Sequence, residues 1–255
     1  MMALENKTVL LTGASSGIGF AMANLLATYK INLILVARRI EKLDKLKLSL
    51  KNYPSHILTL KCDVTQKDEV QNAFYEIKKT FGFVDIAILN AGVGHRTKVT
   101  NYKSELAEET FGVNVLGMIY WIEQLLPDYV KNKKGIIAGV SSLADNRGFA
   151  GSGFYSASKA AASIYLEGLR IELKKFNVKV LTVKPGFVKT PMTDKNEFPM
   201  PMMVSAEKAA KIILRGIKQE KRTIQFPLLI VLSSKFIGML PGPVYEFLAD
   251  KFFKE

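Results

Sequence analysis

The chain has 255 residues, 48% of them apolar, enough to bury a sizeable core, and carries a formal net charge of +13. One cysteine, Cys62, excludes an internal disulfide and suits a reducing compartment. Two scattered histidines, His56 and His95, supply no metal site beside it. The positive charge attracts anions such as nucleotides and acidic lipid headgroups, but Lys and Arg are spread out and no nucleic-acid motif accompanies them, so nucleic acid is not expected as a partner.

The opening stretch, MMALENKTVLLTG, places Glu5 and Lys7 before its first apolar run. That is not the pattern of a signal peptide, and the expected location is cytoplasmic. From there apolar runs alternate with helical patterns. KTVLLTG (7–13), INLILVAR (31–38), HILTLKCDV (56–64), VDIAILNAG (84–92), GIIAGVSS (135–142) and VKVLTVKPG (178–186) read as strands buried on both faces. Helical spacing fills 17–29, 41–51, 67–80, 104–131 and 155–176. This alternation predicts an α/β fold with a doubly wound parallel sheet in three layers, α/β/α, and nothing resembling a linker divides residues 1–255. Ligands of such sheets bind beyond the carboxyl ends of the strands, where the distinctive motifs of this chain lie.

TGASSGIG (12–19) follows the first strand and opens the first helix. Gly13 permits a tight turn, Gly17 lets a pyrophosphate approach the backbone, and Gly19 lets the helix pack closely. The free N–H groups at the helix start favour phosphate. The spacing is G-x-x-x-G-x-G rather than G-x-G-x-x-G. After the second strand, where many NAD sites hold an acidic residue, Ala37 is followed by Arg38 and Arg39. Guanidinium groups suit a 2′-phosphate, so NADP(H) is the expected cofactor; the plainer alternative is a solvated helix start.

The fifth strand delivers Ser141 and Ser142, and the next helix opens with Tyr155 and Lys159. Four residues make about one helical turn, so the phenol and the ammonium share a face. A free tyrosine has a pKa of about 10; the cation and the helix N-terminus would both favour its phenolate. Alone, such a pair is decorative and a serine pair is turn chemistry.

Together, TGASSGIG, Asp63, NAG (90–92), NVLG (114–117), Ser142, YSASK (155–159) and PGFVKT (185–190) resemble the short-chain dehydrogenase/reductase family, in order and spacing, from residue 7 to about 190. The resemblance implies a Rossmann-type fold and reversible reduction of a ketone or aldehyde. Tyr155 would pass the proton, Ser142 would bind the carbonyl oxygen, and Lys159 would hold the nicotinamide ribose and lower the tyrosine pKa. Asn114 would hold a relay water. The implied cofactor contacts are Gly13, Ser15, Ser16, Gly17, Ile18 and Gly19 of the loop, Arg38 and Arg39, and Asp63 and Val64 at the adenine. Farther along come Asn90, Ala91 and Gly92, then Tyr155 and Lys159, and finally Pro185, Gly186, Val188 and Thr190. Leu89 departs from the family's usual asparagine. Homodimers or homotetramers through the helices at 104–131 and 155–176 are implied as well.

Residues 190–220 are expected to cover the substrate, with Met192, Phe198, Met200, Met202 and Met203 as an adaptable apolar lid. Ser205 is a candidate N-cap for a helix over 204–219, and RTIQFP (222–227) a last edge strand. The apolar extension 226–255 could wall a lipophilic pocket, join a subunit interface or rest on a membrane; its longest run is too short to span one. A lipophilic carbonyl or alcohol substrate is therefore expected. The competing readings are an NADP-binding sensor without chemistry and a membrane-associated interaction subunit. His56 and His95 receive no role.

Overall fold

All six apolar runs become strands of one sheet. In the computed structural model, which describes residues 2–196 and 198–252, they are β1 (Thr8–Thr12), β2 (Asn32–Ala37), β3 (His56–Lys61), β4 (Ile86–Leu89), β5 (Ile136–Val140) and β6 (Lys179–Pro185). Two-residue strands β7 (Val188–Lys189) and β8 (Val204–Ser205) pair with each other in parallel, apart from the main sheet. The expected edge strand, β9 (Thr223–Phe226), completes seven parallel strands in the order β3-β2-β1-β4-β5-β6-β9.

The helices are α1 (Gly17–Ala27), α2 (Ile40–Ser49), α3 (Lys67–Phe81), α4 (Glu105–Phe111), α5 (Gly117–Asn132), α6 (Gly153–Leu173), α7 (Ala206–Lys218), α8 (Leu228–Met239) and α9 (Gly242–Phe252). Successive strand side chains point to opposite faces, so β1 divides its apolar residues between two cores. Val9 and Leu11 join α1, α2 and α7 on one face, while Leu10 joins α3, α5 and α6 on the other. Burial on both faces is the reason the strands read as unbroken apolar runs.

Strand order reverses between β1 and β4, which opens a crevice at their carboxyl ends. The loops that leave β1, β2, β4, β5 and β6 all converge there. This single three-layered Rossmann-type fold is the one expected.

Two local expectations need correction. The helix expected over 104–131 is interrupted: Gly112–Leu116 form a π-helical turn between α4 and α5, where the N–H of Gly117 donates to the carbonyl of Gly112. The stretch 190–220 is not all lid, because α7 is a core helix packed on α1 through Ala209, Ala210, Ile213, Leu214 and Ile217. Its N-cap is Ser205, whose Oγ accepts from the N–H of Lys208 at 3.2 Å. The extension folds into α8 and α9; residue 197 of the lid and residues 253–255 of the extension lie outside the described residues.

Candidate active site

The phosphate loop owes its shape to glycines and to one asparagine. Gly13 and Gly17 have φ of +69° and +56°, a region that L side chains avoid. A Cβ on Gly13 would sit 2.8 Å from the Cα of Ala91, so the β1 and β4 loops touch there. Asn90 fastens them: its Nδ2 donates to the carbonyl of Thr12 at 3.1 Å, while the N–H groups of Asn90 and Ala91 donate to Thr12 Oγ1. Leu89, at the departure from the usual asparagine, is a buried residue at the end of β4.

Gly19 acts from beneath. A Cβ there would meet the carbonyl oxygen of Gly13 at 2.2 Å, and Gly19 is not among the residues lining the crevice. Its role is to let α1 start against the turn. Gly19→Ala is expected to cost about 1–3 kcal/mol through overpacking, read as a lower melting temperature together with weakened binding of a nicotinamide cofactor.

The crevice is a cavity of about 450 Å³, within the usual range for small-ligand sites. One end is lined by Gly13, Ser15, Ser16, Gly17 and Ile18, together with Arg38, Arg39, Asp63 and Val64. Arg39 Nη2 donates to Ser15 Oγ at 3.0 Å and to Ser16 Oγ at 3.3 Å, which brings a guanidinium across the loop. Arg38 Nη1 lies 3.7 Å from Asp63 Oδ2, and both arginines remain solvent-exposed. Asn90, Ala91, Gly92, Pro185, Gly186, Val188 and Thr190 line it as well, and the Thr190 side chain stands against Gly17 of the loop. The backbone cradle and cations at one end fit a dinucleotide phosphate.

The other end holds Ser142, Tyr155 and Lys159. Tyr155 occupies the first turn of α6, and Lys159 follows one turn later with its Nζ 5.7 Å from the tyrosine ring centroid. That Nζ donates to the carbonyl of Val140 at 3.0 Å, tying α6 to the end of β5. Ser142 Oγ accepts from the N–H of Ala144 at 3.1 Å, and its hydroxyl favours the ionised form of the Tyr155 phenol.

Charge here differs from the sequence expectation. Burial pushes the Tyr155 phenol above its ordinary value, and the Ser142 hydrogen bond offsets only part of that. Burial also pushes Lys159 down, to about 8, so enclosure disfavours the charged form of both groups. Asp145 raises both groups. This carboxylate is almost fully buried, 2.7 Å from Lys184 Nζ, and is reached by Ser163 Oγ. Ser163 in turn lies 2.8 Å from Ser141 Oγ, which donates to the carbonyl of Lys159. Sequence reading missed this network, because Asp145 and Lys184 meet only when β5 and β6 pair.

Asn114 does not line the cavity either. It is buried in the π-helical turn and clamps the β4 loop: Oδ1 accepts from the N–H of Val93 at 2.8 Å, and Nδ2 donates to the Val93 carbonyl and to Ser158 Oγ. Of the apolar lid residues, Met192 reaches the cavity. Phe198 instead stacks edge-on with Phe187 and lies under Arg96; Met200, Met202 and Met203 lie off the cavity wall. Cys62 and Val113 also line the cavity, and no motif pointed to them. His95 Nε2 contacts Glu109 Oε2 at 2.9 Å.

Residues 7–199 match the model of a family described as short chain dehydrogenase. An uncharacterized oxidoreductase of Myxococcus xanthus is 32% identical, over 96% of this chain and 97% of that relative. One from Staphylococcus haemolyticus is also 32% identical, over 86% and 94%. In fold, the chain resembles a short chain dehydrogenase/reductase from Burkholderia phymatum in complex with NAD, with TM-score 0.85 at 22% identity over 92% and 94% of the two chains. An alcohol dehydrogenase from Thermococcus sibiricus complexed with 5-hydroxy-NADP gives TM-score 0.78 at 25% identity over 87% and 95%.

Proposed function

This chain belongs to the short-chain dehydrogenase family, and we propose that it reduces a lipophilic ketone or aldehyde to the alcohol with NADPH, reversibly. One observation carries the reading: Ser142, Tyr155 and Lys159 stand at one end of a cavity whose other end is a glycine loop flanked by Arg38 and Arg39. The bound nicotinamide supplies or accepts the hydride. Ser142 orients the carbonyl oxygen toward Tyr155, whose hydroxyl gives it the proton. A phenol kept protonated by burial is suited to act as the acid, which favours reduction as the working direction. Lys159 holds the nicotinamide ribose and passes a replacement proton to Tyr155, regaining its own through a water held near Asn114. Met192 and the apolar extension favour a lipophilic substrate, and the exposed faces of α5 and α6 are the proposed homo-oligomer contacts. A carbonyl panel screened for NADPH consumption tests the proposal; NADPH binding without turnover on any carbonyl would favour the sensor reading.

The pH dependence follows from Lys159. Above about 8 it loses its proton, whereas Tyr155 keeps its own. The reductive rate is therefore expected to be level below that pH and to fall above it. Asp145 raises Lys159, so Asp145→Asn should move the falling limb to lower pH, as measured by pH–rate profiles. Stability runs the other way. Between about 8 and the ordinary lysine value of 10.5 the unfolded chain holds more protons at this residue, so its contribution to stability rises with pH. The raised Tyr155 opposes that trend only above its ordinary value of 10.0.

A further inference from the structure

α8 shows solvent a face that a soluble enzyme ordinarily buries. Leu228, Leu229, Leu232, Phe236 and Met239 are all more than half exposed, Met239 at 83%. At about 100° per residue these five fall within an arc of about 100°. Val244 and Phe247 of α9 add two more exposed apolar side chains. The opposite side of α8 is anchored. Val231 is buried, Ser234 Oγ donates to the Leu143 carbonyl at 3.0 Å, and Arg147 donates to the carbonyls of Ile237 and Leu240 at the helix end. Tyr245 OH donates to the Gly148 carbonyl at 2.5 Å, which fixes α9 as well. The apolar arc is thus held in place by the loop that follows Ser142, and it is not a helix waiting to fold inward.

Charge identifies the occupant. No Asp or Glu occurs from Lys221 to Tyr245, and Lys235 borders the arc on α8. A second copy packed α8 against α8 would bury Lys235 with no carboxylate on that helix to receive it, and an unpaired buried charge is costly. A bilayer accepts the apolar side chains among its acyl chains and offers anionic headgroups to the lysine. The net charge of +13 adds long-range attraction to such a surface. Among the described residues no helix is long and apolar enough to cross a membrane, so the contact is a seat on one leaflet.

We propose that the exposed arc of α8, continued by Val244 and Phe247, docks this protein on anionic membrane surfaces. α8 also backs the active-site cavity, since Ile230 lies behind Gly186. Docking therefore sets the cavity wall beside the lipid.

Co-sedimentation of the full chain with vesicles tests this without turnover, so its failure is separate from failure of the reductase reading. The chain should pellet with phosphatidylcholine–phosphatidylserine vesicles and much less with phosphatidylcholine alone. The pair Leu232→Gln and Phe236→Gln should weaken binding at least about tenfold while NADPH binding and melting temperature hold. Lys235→Glu should weaken it too, in a manner erased by high salt. No pelleting of the native chain, equal pelleting on both lipids, or unchanged binding by the glutamine pair would each overturn the proposal. So would a glutamine pair that merely lowers the oligomer mass in light scattering, which would make the arc a subunit contact.

Discussion

Tyr155→Phe is expected to lower reductive turnover by about 10²–10⁴-fold, the range removed with a positioned general acid, while NADPH binding stays near native. The phenyl ring keeps its place in the first turn of α6, against Gly94 and beside Met192. Only the hydroxyl goes. Ser142 Oγ retains the N–H of Ala144 as a partner, so no buried acceptor is stranded, and the stability change should stay near the ~1 kcal/mol of one hydrogen bond. A lost acid and a damaged fold therefore separate cleanly. Steady-state rates on a responsive carbonyl, NADPH titration by fluorescence and a melting curve make the comparison. Near-native rates would remove Tyr155 from the chemistry, and a loss of NADPH binding equal to the loss of turnover would make it a cofactor contact instead.

Sequence carried the sheet because each strand is buried on both faces and so reads as one apolar run ended by turn residues. The strand-end rule brought Gly13, Gly17, Arg38, Arg39 and Ser142 to one crevice, and helical spacing set Tyr155 and Lys159 on the face of α6 that meets it. What stayed hidden depends on contacts between distant segments. The π-helical turn at Gly112–Leu116 leaves the helical spacing of apolar residues almost unchanged, so 104–131 reads as one helix. Gly19 and Asn114 belong to motifs, but a motif does not say whether a residue faces the cavity or supports it from behind. The direction of the Tyr155 shift is a matter of enclosure: an adjacent lysine is visible in YSASK, whereas burial of the phenol is not. Asp145 reads as an ordinary loop acid until β5 and β6 set Lys184 against it. The α8 arc is legible as apolar residues, yet only the folded chain shows which of them remain outside.

The double variant Arg38→Ala, Arg39→Ala is expected to raise the KM for NADPH by roughly 10²-fold and leave that for NADH within about twofold. A hydrogen bond to a charged group contributes about 1.5–3 kcal/mol. Both guanidinium groups are exposed at the cavity mouth, so the low end of that range applies, about tenfold for each. The NADH arm separates phosphate recognition from loop support, and Arg39 could supply both. Its Nη2 braces Ser15 and Ser16, so its removal could loosen the phosphate loop for either cofactor. Arg38 has no such tie; its nearest charged partner is Asp63 at 3.7 Å, a loose pair that a 2′-phosphate can draw away. Arg38→Ala alone should thus affect NADPH selectively, whereas Arg39→Ala should show a small common effect on both cofactors plus a larger one on NADPH. Ala37 leaves the adenosine ribose hydroxyls without the carboxylate that an NAD site uses, so NADH should begin from weak binding and have little to lose. Equal KM values for the two cofactors in the native chain, or a parallel loss of both in Arg38→Ala, would overturn the NADP(H) assignment while leaving hydride transfer in place.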